Sequence, residues 1–179
     1  MPSHTDSSPG TGTTSWSPTD GGSFALAKTD GPGSYQQLYQ SFSAIAGDTL
    51  TLDYFWDSQR VYNESNEKGN DEAYGWLFQG TTGDITSTAW PSGEELFHHS
   101  VADDPSIRFG TNWLTETISF AESGDYTLWF GVSTGSAGIA GDSYIGIDNV
   151  QLVAVPVPAA VILGMLGLGV AGMRLRKYA

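Results

Sequence analysis

Short runs in which apolar and polar residues alternate dominate the chain after residue 20. Residues 38–42 alternate in this way, and residues 49–56 place an apolar side chain at every second position from Leu50 to Trp56. Further runs cover residues 74–78, 114–120, 126–132 and 143–152. Successive side chains point to opposite faces of a strand, so the pattern predicts about eight to ten antiparallel strands in an all-β, two-sheet sandwich. Thr51 and Asp53 lie opposite Leu50, which predicts that their face meets water.

The last predicted strand, residues 143–152, changes phase between Ile147 and Val150. A bulge at Asp148-Asn149 would return the apolar side chains to one side of the strand. Coverage of both faces of the sheet would make that bulge unnecessary.

Two stretches repeat the order strand, Gly-Asp turn, strand, around Gly47-Asp48 and around Gly124-Asp125. Gly and Asp suit tight turns, so we interpret both as ordinary hairpins rather than as a duplicated unit. Residues 79–112 are rich in turn formers and predict loops, with short strands near Ile85 and Ile107. Residues 1–20 are mostly Ser, Thr, Pro and Gly and predict a flexible lead-in.

Composition and charge exclude several classes of function. The formal net charge is −13, and all twenty Asp and Glu residues lie at or before Asp148. A body this acidic repels phosphate backbones, so we expect no nucleic-acid partner. The chain has no cysteine, which excludes disulfides, thiolate zinc sites and cysteine nucleophiles.

Near its C-terminus the chain has an apolar segment without charge, and Arg174, Arg176 and Lys177 follow it directly. Residues 155–173 would span about 28 Å as a helix, close to the hydrocarbon thickness of a bilayer. Basic residues beside a membrane segment stay cytoplasmic, so the pattern predicts a single transmembrane helix with the acidic body outside. A buried core helix would instead have to be apolar on every face and end in three cations.

The tail over residues 154–179 resembles the PEP-CTERM sorting signal of bacterial surface proteins. The resemblance is carried by a short Pro-x-Pro motif, an apolar helix rich in Leu and Gly, and a basic end, in that order. The motif reads Val155, Pro156, Val157, Pro158, Ala159 and Ala160, with Val157 where the name-giving form has Glu. The resemblance implies processing by exosortase, an inner-membrane enzyme of Gram-negative bacteria that make exopolysaccharide.

The front of the chain does not match that expectation. The first ten residues are neither basic nor apolar, so they do not form a signal peptide. We therefore expect the true N-terminus and its signal to lie upstream of Met1. The alternative is a cytoplasmic body carried on a membrane anchor.

The predicted sandwich over residues 21–153 is similar to jelly-roll ectodomains of the kind found ahead of this tail, which resemble carbohydrate-binding modules. The residues that carry this looser resemblance are Trp16 to Gly21, Gln40 to Phe42 before Ala46-Gly47-Asp48, Asn70-Asp71, Gly124 to Leu128, and Ser143 to Val150. The resemblance implies a structural calcium with Asp148 as a ligand. The alternative is that Asp148-Asn149 stabilises a bulge through bonds to the backbone.

Exposed aromatic rings are candidates for sugar binding, because flat rings pack against sugar faces. Trp90 and Trp113 fall in predicted loops and are the candidate ligand-binding residues, unless they plug an end of the sandwich. Trp56, Trp76 and Tyr126 have core parity and are interpreted as packing.

Catalytic signatures are lacking. His98 and His99 are neighbours and would point opposite ways on a strand, which makes a poor chelate. The acid pairs Glu94-Glu95 and Asp103-Asp104 are interpreted as solvated loop residues rather than as a glycosidase pair. The sequence therefore predicts an exported, non-catalytic surface or matrix protein associated with exopolysaccharide, or alternatively a carbohydrate-binding module with a defined site.

Overall fold

The computed structural model describes residues 15–58, 71–80, 93–100, 110–135 and 142–154, together with the backbone of residues 4 and 5. Over these residues the protein is an all-β sandwich, as predicted. Its strands are β1 (His4–Thr5), β2 (Ser15–Trp16), β3 (Ala25–Lys28), β4 (Tyr35–Ala44), β5 (Thr49–Ser58), β6 (Glu72–Gln79), β7 (Glu94–Ser100), β8 (Leu114–Ser119), β9 (Gly124–Ser133) and β10 (Ser143–Val153).

Two four-stranded antiparallel sheets form the sandwich. One has the strand order β3-β10-β5-β8 and the other the order β4-β9-β6-β7, while β1 and β2 pair separately. The core between the sheets takes alternate residues from both of them, including Leu52 and Trp56 from β5 and Leu128 and Val132 from β9. We name the two sheets by their central strands, the β10-β5 sheet and the β9-β6 sheet.

The alternation along β5 is confirmed, but the expectation about its other face is wrong. Leu50, Leu52 and Trp56 are buried in the core. On the opposite face Asp53 is only 8% exposed and Phe55 is fully buried. That face is covered because Trp16 lies flat on Phe55, with ring centroids 4.5 Å apart.

The bulge in β10 is confirmed. Asp148 pairs with Asp53 and Gln151 pairs with Thr51, so two residues of β10 face one residue of β5. Asn149 takes a φ of 50°, in the left-handed region that suits an asparagine at such a site. The extra residue brings Leu152 opposite Leu50, on the side of the sheet that faces the core.

The two Gly-Asp turns are not hairpins. The turn at Gly47-Asp48 joins β4 to β5, and the turn at Gly124-Asp125 joins β8 to β9, so each crosses from one sheet to the other. The two crossings lie side by side, because the Gly47 N–H donates to the Phe120 carbonyl at 2.7 Å and the Phe120 N–H donates to the Asp48 carbonyl at 3.0 Å. They close the same end of the sandwich.

Strand β7 lies within the segment that was predicted as loop. Its residues Leu96 and Phe97 are consecutive rather than alternating, and the pairing with β6 shifts register between Gly75 and Trp76. An extra residue breaks the period of two, which is the signal that sequence patterns rely on. The possible strands near Ile85 and Ile107 lie outside the described residues.

Trp16 and the residues that follow it lie against the sandwich, whereas most of the lead-in expected over residues 1–20 lies outside the described residues. Trp16 is 5% exposed, and β2 pairs with β1. We call residues 16–24 the strap, since they run over the outer face of the β10-β5 sheet. The expected membrane helix and the rest of the tail lie outside the described residues, and no helix long and apolar enough to cross a bilayer occurs in the part that is described.

Candidate functional site

The outer face of the β9-β6 sheet carries a concentration of aromatic side chains. One row runs across all four strands, from Tyr39 on β4 through Trp129 and Trp76 to Glu95 on β7. We call the following residues the aromatic face: Tyr35, Tyr39, Tyr74, Trp76, Phe78, His98 and Trp129.

The rings of the aromatic face are held by stacking and hydrogen bonding. Tyr74 and His98 stack at 4.6 Å with an interplanar angle of 9°, and Trp76 lies parallel to Phe78. The Trp129 indole N–H donates to Gln37 Oε1 at 3.1 Å. These contacts fix the orientation of the rings, so a flat ligand that binds the accessible ones does not have to order them first.

Exposure differs strongly along the aromatic face. Trp129 is 2% exposed, whereas Tyr39 is 60% exposed and Trp76 is half-buried. The exposed groups are therefore Tyr35, Tyr39 and His98, with the neighbouring carboxylate of Glu95, and Trp76 is accessible in part. Apolar ring faces beside a carboxylate acceptor are the groups that sugar recognition uses.

Trp76 differs from the prediction that it packs in the sandwich core. Its parity on β6 is opposite to that of Ala73 and Leu77, which are the core residues of this strand. Trp76 instead packs with the second cluster of Tyr74, Phe78 and Trp129. Trp56 and Tyr126 do lie in the main core, as predicted.

The two neighbouring histidines point to opposite faces of β7, as expected. His98 is exposed on the aromatic face, whereas His99 is half-buried and lies 3.0 Å from the Tyr54 hydroxyl through its Nε2. Burial lowers the pKa of His99, and the adjacent His98 lowers it further. Burial raises the pKa of Tyr54, and the negative charge of Glu116 adds to that rise.

Trp113 takes part in packing under the strap. Its indole N–H donates to the Ser17 carbonyl at 3.0 Å, and its ring meets Phe24 and Phe55 edge-on at 5.6 and 4.8 Å. These contacts hold the Trp113 ring and its polar nitrogen against the protein. Trp90, the other candidate ligand-binding residue, lies outside the described residues.

Asp148, the candidate calcium ligand, accepts hydrogen bonds from the strap. Its Oδ2 receives the Thr19 N–H at 2.6 Å, the Thr19 hydroxyl at 3.1 Å and the Asp20 N–H at 3.1 Å. Burial alone would raise the pKa of Asp148, but backbone N–H groups, led by that of Asp20, hold it below its usual range. Across the described residues no group of three or more metal-binding side chains occurs.

We expect Asp148→Asn to loosen the strap, because the amide replaces a charged acceptor of three hydrogen bonds, worth about 2 kcal/mol. The folded-state pKa lies below the unfolded value, so the stabilisation is complete above about pH 4 and is lost as pH falls through the folded pKa. Amide shifts and hydrogen exchange of Thr19 and Asp20 report this transition. Asp125→Asn, at an exposed position, is the control, and retained protection at Thr19 in Asp148→Asn would contradict the assignment.

A buried polar network lies where strands of both sheets meet. Asp71 is fully buried; its Oδ2 accepts the Ser58 and Ser143 hydroxyls at 2.7 and 2.8 Å, and its Oδ1 accepts the Gly135 N–H at 3.1 Å. Thr29 extends the network through the Ser143 backbone. The sequence around Asn70-Asp71 does not indicate that Asp71 is buried where strands of the two sheets meet.

The sorting motif and the basic end cannot be placed in this fold. Val155, Pro156, Val157, Pro158, Ala159 and Ala160 lie outside the described residues, as do Arg174, Arg176 and Lys177. Asp103-Asp104 also lies outside them. Glu94-Glu95 begins β7 rather than occupying a loop, so these two carboxylates start toward opposite faces of a strand.

The fold and the aromatic face define an all-β sandwich with a candidate binding face. No protein-family model matches the chain, and no curated protein matches it. Among solved structures, it is similar to the chain described as "Structure of infectious bursal disease virus Gx strain", at 11% sequence identity and a TM-score of 0.29. That match covers 72% of this chain but only about a third (34%) of the viral chain. A likeness of this extent carries no information on function.

Proposed function

We propose that this chain is an exported, non-catalytic protein of the cell surface or extracellular matrix, sorted and processed through its C-terminal segment. The observation that carries the proposal is the order of parts in the tail. A Pro-x-Pro motif, an apolar run and three basic residues follow directly on an acidic β-sandwich. The finer description of that sandwich as a jelly roll belongs to the same proposal.

Each part of the tail has a separate role in this proposal. Pro156 to Pro158 is the recognition element for an exosortase-type enzyme, and residues 159–173 hold the chain in the inner membrane. Arg174, Arg176 and Lys177 keep the end of the chain in the cytoplasm, which leaves the acidic body outside. After processing, the body remains at the surface or associates with exopolysaccharide.

Two pairs of titratable neighbours on β7 are divided between the two faces of the strand, so neither forms a catalytic pair. Two acids flanking a cleft are needed for glycoside hydrolysis, yet Glu94 and Glu95 start toward opposite faces of β7. His98 and His99 are divided between the two faces in the same way. The measurement is hydrolytic activity on a panel of glycosides and esters. Activity that is abolished by one acid substitution would contradict the proposal.

The decisive experiment is the mass of the mature C-terminus, measured on protein recovered from its native host. We expect loss of the tail close to Pro158 in the native chain and its retention when Pro156 and Pro158 are both replaced by alanine. Pro18→Ala, which alters a proline far from the tail, is the control and is expected to be processed normally. An intact Ala179 on membrane-bound native protein would overturn the sorting proposal.

Binding of a glycan by the sandwich is the second candidate function, and the aromatic face favours it. On one row of the sheet Tyr39 is exposed and Trp76 is partly exposed, and Glu95 lies opposite Trp76 as an acceptor. This site differs from the predicted one at Trp90 and Trp113, because the Trp113 indole N–H bonds to Ser17 and its ring contacts Phe24 in the strap.

We expect Trp76→Ala to weaken binding to matrix polysaccharide about tenfold, because a ring face that stacks on a sugar contributes on the order of 1–2 kcal/mol. Affinity electrophoresis in gels that contain the polysaccharide measures the change. Trp113→Ala is the matched control and is expected to lower stability while leaving affinity unchanged. Loss of binding in Trp90→Ala or Trp113→Ala, with unchanged binding in Trp76→Ala, would place the glycan-binding site at Trp90 and Trp113 instead.

A further inference from the structure

Strand β4 forms an unusually open edge of the sandwich. Among the described strands, β4 and β7 lie at the edges of one sheet, and β3 and β8 lie at the edges of the other. β4 is ten residues long and pairs with β9 over all ten positions without a register shift. Its outer side therefore presents a long, regular row of backbone N–H and C=O groups.

The other three edges carry the features that natural proteins use to prevent edge-to-edge pairing. β3 has only four residues and ends in Lys28, and β8 carries Glu116. β7 begins with Glu94 and Glu95 and has a register shift against β6. The sequence of β4 contains no charge and no proline, and its pairing contains no bulge. Only this edge lacks protection among those described.

Burial along β4 shows that several of its side chains are exposed. Gln36 and Gln40 stand opposite Val132 and Leu128, which are 0% and 3% exposed. Both glutamines are nevertheless exposed, although they share the core-facing parity of those residues. Side chains directed inward remain exposed where the sandwich ends beside the strand, and none of the described strands lies along the outer side of β4.

We propose that β4 is a self-association edge, through which two copies of this chain pair antiparallel about a two-fold axis. The two β9-β6 sheets would then join into one continuous eight-stranded sheet. This proposal goes beyond the proposed function, since neither sorting nor glycan binding requires it. It also brings the two Tyr39 rings, and with them the two aromatic faces, next to each other.

We expect a second copy of this chain, rather than another protein, to pair with the β4 edge because of the distribution of charge. The chain has a formal net charge of −13, so most surfaces of two copies repel each other. β4 is uncharged over its whole length, so pairing it with itself places no like charges opposite each other. An uncharged edge offers nothing to select a basic or acidic partner strand, whereas a two-fold pair satisfies both edges at once.

The distribution of charge also predicts how the association through β4 depends on salt. The uncharged edge gains little from salt, but repulsion between the two acidic bodies is screened. Raising ionic strength from about 0.01 M to about 1 M shortens the screening length from about 30 Å to about 3 Å. We therefore expect association to strengthen as salt is added, the opposite of a dimer held by ion pairs.

Sedimentation equilibrium of the full-length chain in mild detergent, from about 1 μM to about 1 mM protein, tests the proposal. We expect a monomer–dimer equilibrium in the native chain. Gln40→Glu, near the middle of the edge, is expected to raise the dissociation constant about tenfold, because it places like charges close together across the axis. Gln40→Lys should weaken the homodimer similarly, and an equimolar mixture of the two variants should restore dimers.

Thr117→Glu on β8 is the matched control, because it adds the same charge to an exposed position on another edge strand. It should change the dissociation constant by less than about twofold at high salt. A native chain that stays monomeric at about 1 M salt would overturn the proposal. So would a dimer that survives Gln40→Glu, which would place the contact in another part of the chain, or equal weakening by Thr117→Glu.

Discussion

Replacing Asp71 by alanine is expected to lower the free energy of unfolding by about 4 kcal/mol, a large share of the roughly 5–15 kcal/mol of a typical domain. The carboxylate accepts three hydrogen bonds and is fully buried. Its removal takes away the acceptor of the buried hydroxyls of Ser58 and Ser143 and weakens the contact with the Gly135 N–H. Each buried donor left in this way costs about 1–3 kcal/mol.

The position of Asp71 explains why its loss should affect the whole sandwich. Ser58 ends β5 and Ser143 begins β10 in one sheet, while Asp71 directly precedes β6 and Gly135 follows β9 in the other. The network therefore ties the two sheets together where four strands begin or end. We expect a single cooperative transition at lower denaturant concentration in Asp71→Ala, rather than local fraying.

Urea unfolding followed by circular dichroism measures the effect, and Asp125→Ala provides its control. Asp125 also accepts a serine hydroxyl, that of Ser43 at 2.6 Å, but it is exposed. Water can replace the lost partner there, so the expected cost is below about 1 kcal/mol. Equal losses in the two variants would show that burial of the Asp71 network does not stabilise the fold.

The sandwich itself could be predicted from the sequence because its longest strands alternate regularly. The run from Leu50 to Trp56 predicted β5 and its core face correctly. The phase change in β10 likewise pointed to a bulge, since two apolar pairs of opposite parity cannot share one face without an extra residue. In β5 the local pattern and the final packing agree, whereas Val150 and Leu152 after the bulge in β10 remain 49% and 40% exposed.

The sequence does not predict which residues are buried on the outer faces of the two sheets. Trp76 has the parity of a regular strand, but parity does not say which of its two faces meets the other sheet. Phe55 shows the same problem, because it shares a face with Asp53 and yet is fully buried. The face is covered by a segment about forty residues away in the chain, and period-two patterns contain no information about such contacts.

The prediction that the two Gly-Asp turns form hairpins is wrong for a related reason. Their local chemistry suits a hairpin and also suits a crossing between sheets. Whether β4 returns to β5 in one sheet or crosses to the other is decided by which strand each one pairs with. β4 pairs with β9, and β5 pairs with β8 and β10, so the distinction rests on partners far away in the sequence.

Replacing Trp16 by alanine is expected to cost about 3–5 kcal/mol of unfolding free energy. Phe55 lies between two surfaces: Trp16 stacks on it at 4.5 Å with an interplanar angle of 10°, and Gly146 lies beneath it. A Cβ built on Gly146 would come within 2.1 Å of the Phe55 ring, which shows how closely the ring contacts the strand. Removing Trp16 exposes this ring and leaves a cavity beside Phe24 and Trp113.

Hydrogen exchange separates this effect from a general loss of stability. In Trp16→Ala the amides of Thr19 and Asp20 should lose protection, because their bonds to Asp148 hold only while the strap lies on the sheet. Trp16→Phe keeps a ring on Phe55 and should recover most of the stability, with a remaining cost of about 1 kcal/mol. A loss below about 1 kcal/mol in Trp16→Ala, with Thr19 still protected, would contradict this account. The hydrogen bonds to Asp148, rather than aromatic stacking, would then be what holds the strap.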